Sequence, residues 1–325
     1  MTFLLLGVGL ALLFVGGEFL VRGAVRLAEG LGISSLVIGL TVVGFGTSTP
    51  EMVTSIQAAL AQTPGIAIGN IVGSNIANIL LILGLSALIF PIAVQSVALK
   101  RDGAIMLAVA LVFALLAAMY PLTRPLGAVF VLALGAYVLF VIRHERGAAP
   151  AEHGAVYDKA MALEATDPAL APRTADRPSR AVPALLCLAG LALLIGGGKL
   201  LVDNAIVLAS QMGISETVIG LTIVAVGTSL PELVTSVIAA VRTQADVAFG
   251  NIVGSNIYNI LAIGGVTALI ARVEVPGQIV SFDNPAMIVA SLLLLAFAWT
   301  GLRIGRREGV LLIVGYAVYV WLIWP

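Results

Sequence analysis

Two carboxylates stand where apolar sequence should exclude them. Glu51 closes the run Gly46-Thr47-Ser48-Thr49-Pro50-Glu51 inside an apolar stretch from Leu36 to Leu60. Glu232 closes Gly227-Thr228-Ser229-Leu230-Pro231-Glu232, 181 residues later (232 minus 51). A carboxylate near a bilayer centre costs about 2.5–3.5 kcal/mol on insertion scales, so a chain that places two there has a use for them. Each run is followed, at the same offset, by a second polar motif. Gly69-Asn70-Ile71-Val72-Gly73-Ser74-Asn75-Ile76-Ala77-Asn78 matches Gly250-Asn251-Ile252-Val253-Gly254-Ser255-Asn256-Ile257-Tyr258-Asn259.

The shared chemistry of these side chains is oxygen donation. Ser74 and Asn78 are four residues apart, as are Ser255 and Asn259, so on a helix each pair occupies one face, one turn apart. Pro50 and Pro231 have no amide hydrogen, and their rings clash with the carbonyl four residues back. Helix breaks are therefore expected near Gly44 to Thr47 and over Ala225 to Thr228. Carbonyls released there need another partner in hydrocarbon. If the four segments meet, they supply two carboxylates, two Asn amides, hydroxyls and carbonyls. That set suits hard cations such as Ca²⁺ and Na⁺; Zn²⁺ or Cu⁺ would want thiolate or imidazole. The single cysteine, Cys187, lies in an apolar run and reads as a small lipid- or core-facing residue. His144 and His153 fall in a polar central stretch.

Blander roles compete at several positions. Pro50 and Pro231 also suit simple kinks. Gly69, Gly73, Gly250 and Gly254 read as close-packing glycines. Ser48, Ser229, Asn75 and Asn256 suit either ligation or bracing of the helix breaks. Thr54, Ser55, Thr235 and Ser236 are expected to bond back within their own helix. The pairs Glu18/Arg22 and Lys199/Asp203 read as local neutralised i, i+4 pairs near the membrane surfaces.

The elements that must position the motifs follow from composition. The chain has 325 residues, 60% hydrophobic and 10% charged, with a mean hydropathy of +1.10. This is an all-α polytopic membrane protein, with the lipid bilayer as its solvent. Lys+Arg and Asp+Glu number 17 each, so no net charge favours nucleic acid. The apolar N-terminus lacks a preceding positive region and reads as a mature membrane helix, not a signal peptide. Apolar windows place ten transmembrane helices, at 3–26, 34–61, 65–90, 103–120, 125–142, 183–209, 215–241, 246–271, 284–301 and 307–324. They group as a first five-helix repeat over 1–142, a cytoplasmic linker over 143–182 and a second five-helix repeat over 183–325.

With the N-terminus outside, the inner loops hold Arg26, Lys100, Arg101, Arg143, Arg242, Arg303, Arg306, Arg307 and the basic residues of the linker, while the outer loops hold only Arg124 and Arg272. Both termini are then outside and the central loop is cytoplasmic. Five is an odd number, so equivalent helices cross in opposite directions. The expected architecture is an inverted-topology repeat with its site at the midplane, as in alternating-access transporters.

At these motifs the chain resembles the cation/Ca²⁺ exchanger superfamily, specifically the prokaryotic Na⁺/Ca²⁺ exchanger-like proteins. Gly46–Glu51 with Ser74–Asn78 is similar to the family's first alpha-repeat, and Gly227–Glu232 with Ser255–Asn259 to its second. The resemblance implies a sodium/calcium antiporter of the cell (inner) membrane, functional as a monomer, with Ca²⁺ and Na⁺ as substrates and no cofactor. It implies that Glu51 and Glu232 are shared central ligands, that Thr47 and Thr228 give hydroxyl or carbonyl oxygen, and that Gly44 and Ala225 give a backbone carbonyl. Ser74 and Ser255 would complete flanking Na⁺ sites, with Asn78 and Asn259 at the middle. Helices 1 and 6 would form a sliding pair. Some members carry Asp at the position of Asn259, so this site has two formal negative charges where those have three. The alternative is exchange of H⁺ for Ca²⁺ (or another divalent cation), with the glutamates taking protons. A channel would usually draw its symmetry from several chains, whereas this one carries it internally. No HExxH, Gly-x-Gly-Asp or apolar Ser/His pair supports an enzyme.

Overall fold

A computed structural model of the chain describes residues 1–30, 44–94, 98–145, 181–241 and 245–324. The first part of the expected 34–61 helix, most of the linker and Arg242 lie outside the described residues.

The described chain is helical throughout, apart from two short strand contacts. The longest helices, α1 (Thr2–Gly30) and α6 (Ala181–Met212), lie side by side. Their glycines explain how closely. A Cβ on Gly9 would come within 2.9 Å of Leu201 N, one on Gly16 within 2.8 Å of Leu194 N, and one on Gly23 within 2.7 Å of Pro183 O. Contacts that ascend along α1 descend along α6, so the two are antiparallel. Small residues let the backbones touch, which is how helices bind one another when lipid competes for every larger side chain. Cys187 sits in this seam, its Sγ 3.8 Å from Leu20 O.

Against this pair pack the kinked segments. Gly44–Gly46 is a turn of helix followed by α2 (Thr49–Leu60). Its counterpart runs through Glu216–Ile219, a π-helical stretch Gly220–Val224, and Ala225–Thr228, then α7 (Leu230–Val241). This second span bends by 45°. The breaks fall at Thr47–Ser48 and at Ser229, slightly later than the proline rule places them. The reason is steric. Pro50 occupies the first turn of the following helix, where its missing amide costs nothing, so it marks where the second half starts.

The centre of the molecule is built from α3 (Pro64–Ala77), which continues as π-helix Asn78–Leu83 and α-helix Gly84–Ile89, and from α8 (Ala245–Tyr258), which continues as π-helix Asn259–Gly264 and α-helix Gly265–Ile270. Their apolar windows are 83% and 89% buried, against 28–39% for the other unbroken long spans among the described residues, so these two are enclosed by the rest. Glycines again set the approach: a Cβ on Gly73 would lie 2.5 Å from Leu221 O. Around them stand α4 (Ala104–Met119), entered by π-helix Ala98–Gly103, then α5 (Arg124–Glu145), α9 (Asn284–Trp299), entered by π-helix Ile279–Asp283, and α10 (Arg306–Ile323). None of these π segments is anticipated by apolar periodicity.

Two short pairings tie loops together. β1 (Ile92–Ala93) pairs antiparallel with β2 (Arg303–Ile304), and Leu122 bridges Val273. Ile92 and Val273 are 181 apart, as are Leu122 and Arg303, so each contact is the other's duplicate to within one residue.

Among the described residues seven helices are long and apolar enough to cross a membrane, or eight with the bent pair taken as one span. The outward faces carry Leu115, Leu132, Leu185 and Leu188 well exposed. Such an apolar exterior fits lipid and not water.

Candidate functional site

The two breaks bring the carboxylates to one place. Ser229 Oγ, in the second break, donates to Glu51 Oε1 at 3.0 Å. Ser48 Oγ, in the first break, donates to Glu232 Oε1 at 3.3 Å. Each acid of one half is thus held by the serine of the other, and both are buried to 1% exposure. A turn residue two positions before a proline has its side chain off the helix axis and can reach across. These serines, for which spacing alone allows ligation or bracing, brace the carboxylates.

The glycine-flanked asparagines fasten α3 and α8 to the kinked helices. Asn70 Nδ2 donates to Glu51 O at 3.0 Å and to Ser55 Oγ at 2.9 Å. Asn251 Nδ2 repeats this with Glu232 O at 3.3 Å and Ser236 Oγ at 2.9 Å. Ser55 and Ser236, expected to bond back within their helices, therefore accept from a neighbouring helix. Thr235 does bond back, to Pro231 O at 2.7 Å. Asn70 and Asn251 were visible in the sequence as the second letter of each duplicated motif, and identical duplication was the signal for a role.

The asparagines of the middle interlock as well. Asn78 Nδ2 donates to Asn256 Oδ1 at 3.0 Å, and Asn256 Nδ2 to Asn75 O at 3.3 Å. Asn78 and Asn259 each open a π-helical stretch. The extra residue per turn re-aims the side chain, and such bulges occur often at functional sites.

The remaining expected ligands are distributed as follows. Ala225 O accepts from Ser229 N at 3.1 Å and from Ser74 Oγ at 3.4 Å, so this carbonyl keeps a helical partner and is not released by the break as expected; Thr228 Oγ1 lies 3.3 Å from it and 3.0 Å from Val224 O. Thr228 Oγ1 also reaches Asn70 Oδ1 at 3.0 Å. The duplicate of that contact is open: Thr47 Oγ1 and Asn251 Oδ1 have no partner among the described residues. Ser255 is fully buried, and Gly44 opens the short helical turn before the first break.

Buried oxygens without a partner are what a binding site leaves behind. Among the described residues, Thr47 Oγ1, Asn75 Oδ1, Asn78 Oδ1, Asn259 Oδ1 and Glu232 Oε2 are in that condition. Native interiors rarely tolerate so many, each being worth about 1–3 kcal/mol of desolvation. No cluster of three or more His, Cys, Asp or Glu occurs among the described residues, and the polar groups gathered here are two carboxylates and neutral side chains.

A family model described as "Sodium/calcium exchanger protein" matches residues 1–143 and 182–324. The chain belongs to the sodium/calcium exchanger family. Among relatives of this family, the putative antiporter CaxA of Alkalimonas amylolytica is 40% identical over 97% of this chain and 96% of its own. The sodium/calcium exchanger MaX1 of Methanosarcina acetivorans is 38% identical, over 98% and 97%. Inner membrane protein YrbG of Escherichia coli is 37% identical, over 97% and 94%. The fold is similar to that of the sodium-calcium exchanger NCX_Mj, in a structure soaked with Na⁺ and Sr²⁺: TM-score 0.62, 31% identity, 99% of both chains covered. The family is one of ion-exchanging membrane proteins, and the matched residues include both runs that meet at Glu51 and Glu232.

Two features of this exchanger-family chain were missed in the sequence. The ring of Phe45 stacks on Tyr258, centroids 4.1 Å apart, directly beside the first break and Asn259. A second duplicated acid, Asp102 and Asp283, was there to be read at the same 181-residue offset (283 minus 102). Glu18/Arg22 and Lys199/Asp203 form the expected i, i+4 ion pairs, at corresponding places in the bodies of α1 and α6.

Proposed function

We propose that the chain is a Na⁺/Ca²⁺ antiporter in which both ions use one site centred on Glu51 and Glu232. The observation that carries this is the reciprocal pair of hydrogen bonds, Ser229 to Glu51 and Ser48 to Glu232. It joins the two acids through the two halves, so the halves cannot separate without releasing the site. Asn78, Asn259, Thr47, Thr228, Ser74 and Ser255, with the carbonyls of Gly44 and Ala225, complete an all-oxygen set for hard cations.

Exchange follows from charge. Two buried carboxylates without a cation are costly to carry through a low-dielectric interior. One Ca²⁺, or Na⁺ ions in its place, neutralises them. Only the occupied site then passes between the two access states, and one ion must leave before the other binds. MaX1 and NCX_Mj, both named sodium/calcium exchangers, agree with Na⁺ as the coupling ion.

The architecture belonging to this reading is ten spans in two inverted repeats, residues 1–142 and 183–325, joined by a cytoplasmic linker, with both termini outside. Helices α1 and α6 are equivalent by sequence offset and antiparallel in space, which supports inversion. The protein functions as a monomer, because its symmetry is internal.

The deciding measurement is flux in vesicles of purified protein. Ca²⁺ uptake should follow an imposed Na⁺ gradient at fixed pH. Uptake driven only by a pH gradient without Na⁺ would assign the coupling to protons instead, and currents with no counter-ion requirement would make the protein a channel.

A further inference from the structure

Asp102 and Asp283 are both fully buried. Each accepts from a tyrosine of the next long helix: Tyr137 Oη to Asp102 Oδ1 at 3.3 Å, Tyr319 Oη to Asp283 Oδ1 at 2.9 Å. There the likeness stops. Asp102 has a fixed counter-charge, with Arg101 Nε 2.9 Å from Oδ1 and a terminal guanidinium nitrogen 3.2 Å from Oδ2. The position that duplicates Arg101 is Phe282 (282 minus 101 is 181), and the one that duplicates Gly103 is Asn284.

Asp283 therefore lacks what Asp102 has. Among the described residues no Lys or Arg forms an ion pair with it. The Gln278 side chain also approaches the carboxylate, but Oδ2 has no hydrogen-bond partner among the described residues, nor do Oδ1 and Nδ2 of Asn284, which is 1% exposed. Helix capping does not account for the acid. Asp283 precedes α9 but makes no side-chain cap bond, because π-helix Ile279–Asp283 runs straight into the helix.

We propose that Asp283, Asn284 and Tyr319 form an accessory site for one monovalent cation, which supplies the charge that Arg101 supplies in the other half. A buried carboxylate stays ionised only beside a paired charge and otherwise takes up a proton. Carboxylate, amide and phenol oxygens are hard donors of the kind that take Na⁺ or K⁺. A single charge balances a single acid, whereas a divalent ion would leave an excess in an apolar setting. The site is separate from Glu51 and Glu232 and does not depend on which ion couples transport.

The test starts from an E51Q/E232Q background, so that the central carboxylates are silent. Equilibrium binding of radioactive Na⁺, and separately of Rb⁺ as the K⁺ probe, is measured on purified protein against choline. A single equivalent per chain should remain for one of the two ions, and Asp283→Asn should abolish it. Phe282→Arg should abolish it as well, by returning the guanidinium found in the first half; the ring of Phe282 already stacks on that of Tyr319, with centroids 6.3 Å apart. Thermal unfolding of Phe282→Arg should no longer respond to that ion, which keeps the proposal testable if Asp283→Asn folds poorly. Equal binding with and without Asp283 would overturn it. So would no residual binding together with an infrared band of a protonated carboxylic acid that Asp283→Asn removes.

Discussion

At the residue scale the protein rests on two acids held by two serines. Glu51→Gln or Glu232→Gln should reduce Na⁺-driven Ca²⁺ uptake to the level of empty vesicles while insertion and folding persist, since one remaining charge cannot neutralise Ca²⁺. Retained flux in either variant would remove the acids from the mechanism. Ser48→Ala and Ser229→Ala are milder. A hydrogen bond to a charged group is worth about 1.5–3 kcal/mol, so each should raise the half-saturating Ca²⁺ concentration about tenfold or more, read from the concentration dependence of uptake. The acids, Asn78 and Asn259 stood out in the sequence because a costly polar residue recurs identically in two apolar runs, and the structure buries all four. The serines were not, because Ser229 finds its partner 178 residues away, a fact that local spacing does not encode. Asp283 went unread for a related reason: its significance is a missing neighbour, visible only once Asp102 and Arg101 are seen together.

At the element scale the breaks and the close seams decide what can move. The kinked spans put non-helical backbone at Thr47–Ser48 and Ser229 only where protein surrounds it, as a membrane interior requires. The Gly-Thr-Ser-x-Pro-Glu pattern announced both breaks. It placed them slightly early, because proline restrains the residue before it and is welcome in the first turn after it. The π segments at Asn78 and Asn259 were not legible; they depend on how a turn packs and not on its own residues. Gly73→Ala should cost about 1–3 kcal/mol by overpacking against the Leu221 carbonyl, read as a lower midpoint of thermal unfolding in detergent. Gly16→Val forces α1 away from Leu194 of α6. If these helices slide past one another during turnover, that variant should bind Ca²⁺ at the central site normally yet exchange it at least several-fold more slowly.

At the scale of the whole molecule, the second half follows the first at a constant offset in its motifs, its loop pairings and its asparagine clamps. The duplication of the motifs was available from the sequence as the 181-residue offset; the loop pairings and clamps were not, because they depend on contacts between distant segments. The linker lies outside that symmetry. Removing Ala148–Arg177 should leave basal exchange within about twofold of the full chain in the same vesicle assay, because site and seams involve residues on either side of it. What symmetry did not foretell is where it fails. The stacked rings of Phe45 and Tyr258 correspond by offset to Val226 and Ala77, neither of them aromatic (226 minus 45 and 258 minus 77 are both 181). A perfectly mirrored carrier would present its cargo with two equal doorways. Here the Phe45–Tyr258 pair beside the first break has no aromatic counterpart in Val226 and Ala77, so if the proposed site opens in turn to the two compartments, the departure of an ion toward them should differ in speed even when the gradients across the membrane are the same.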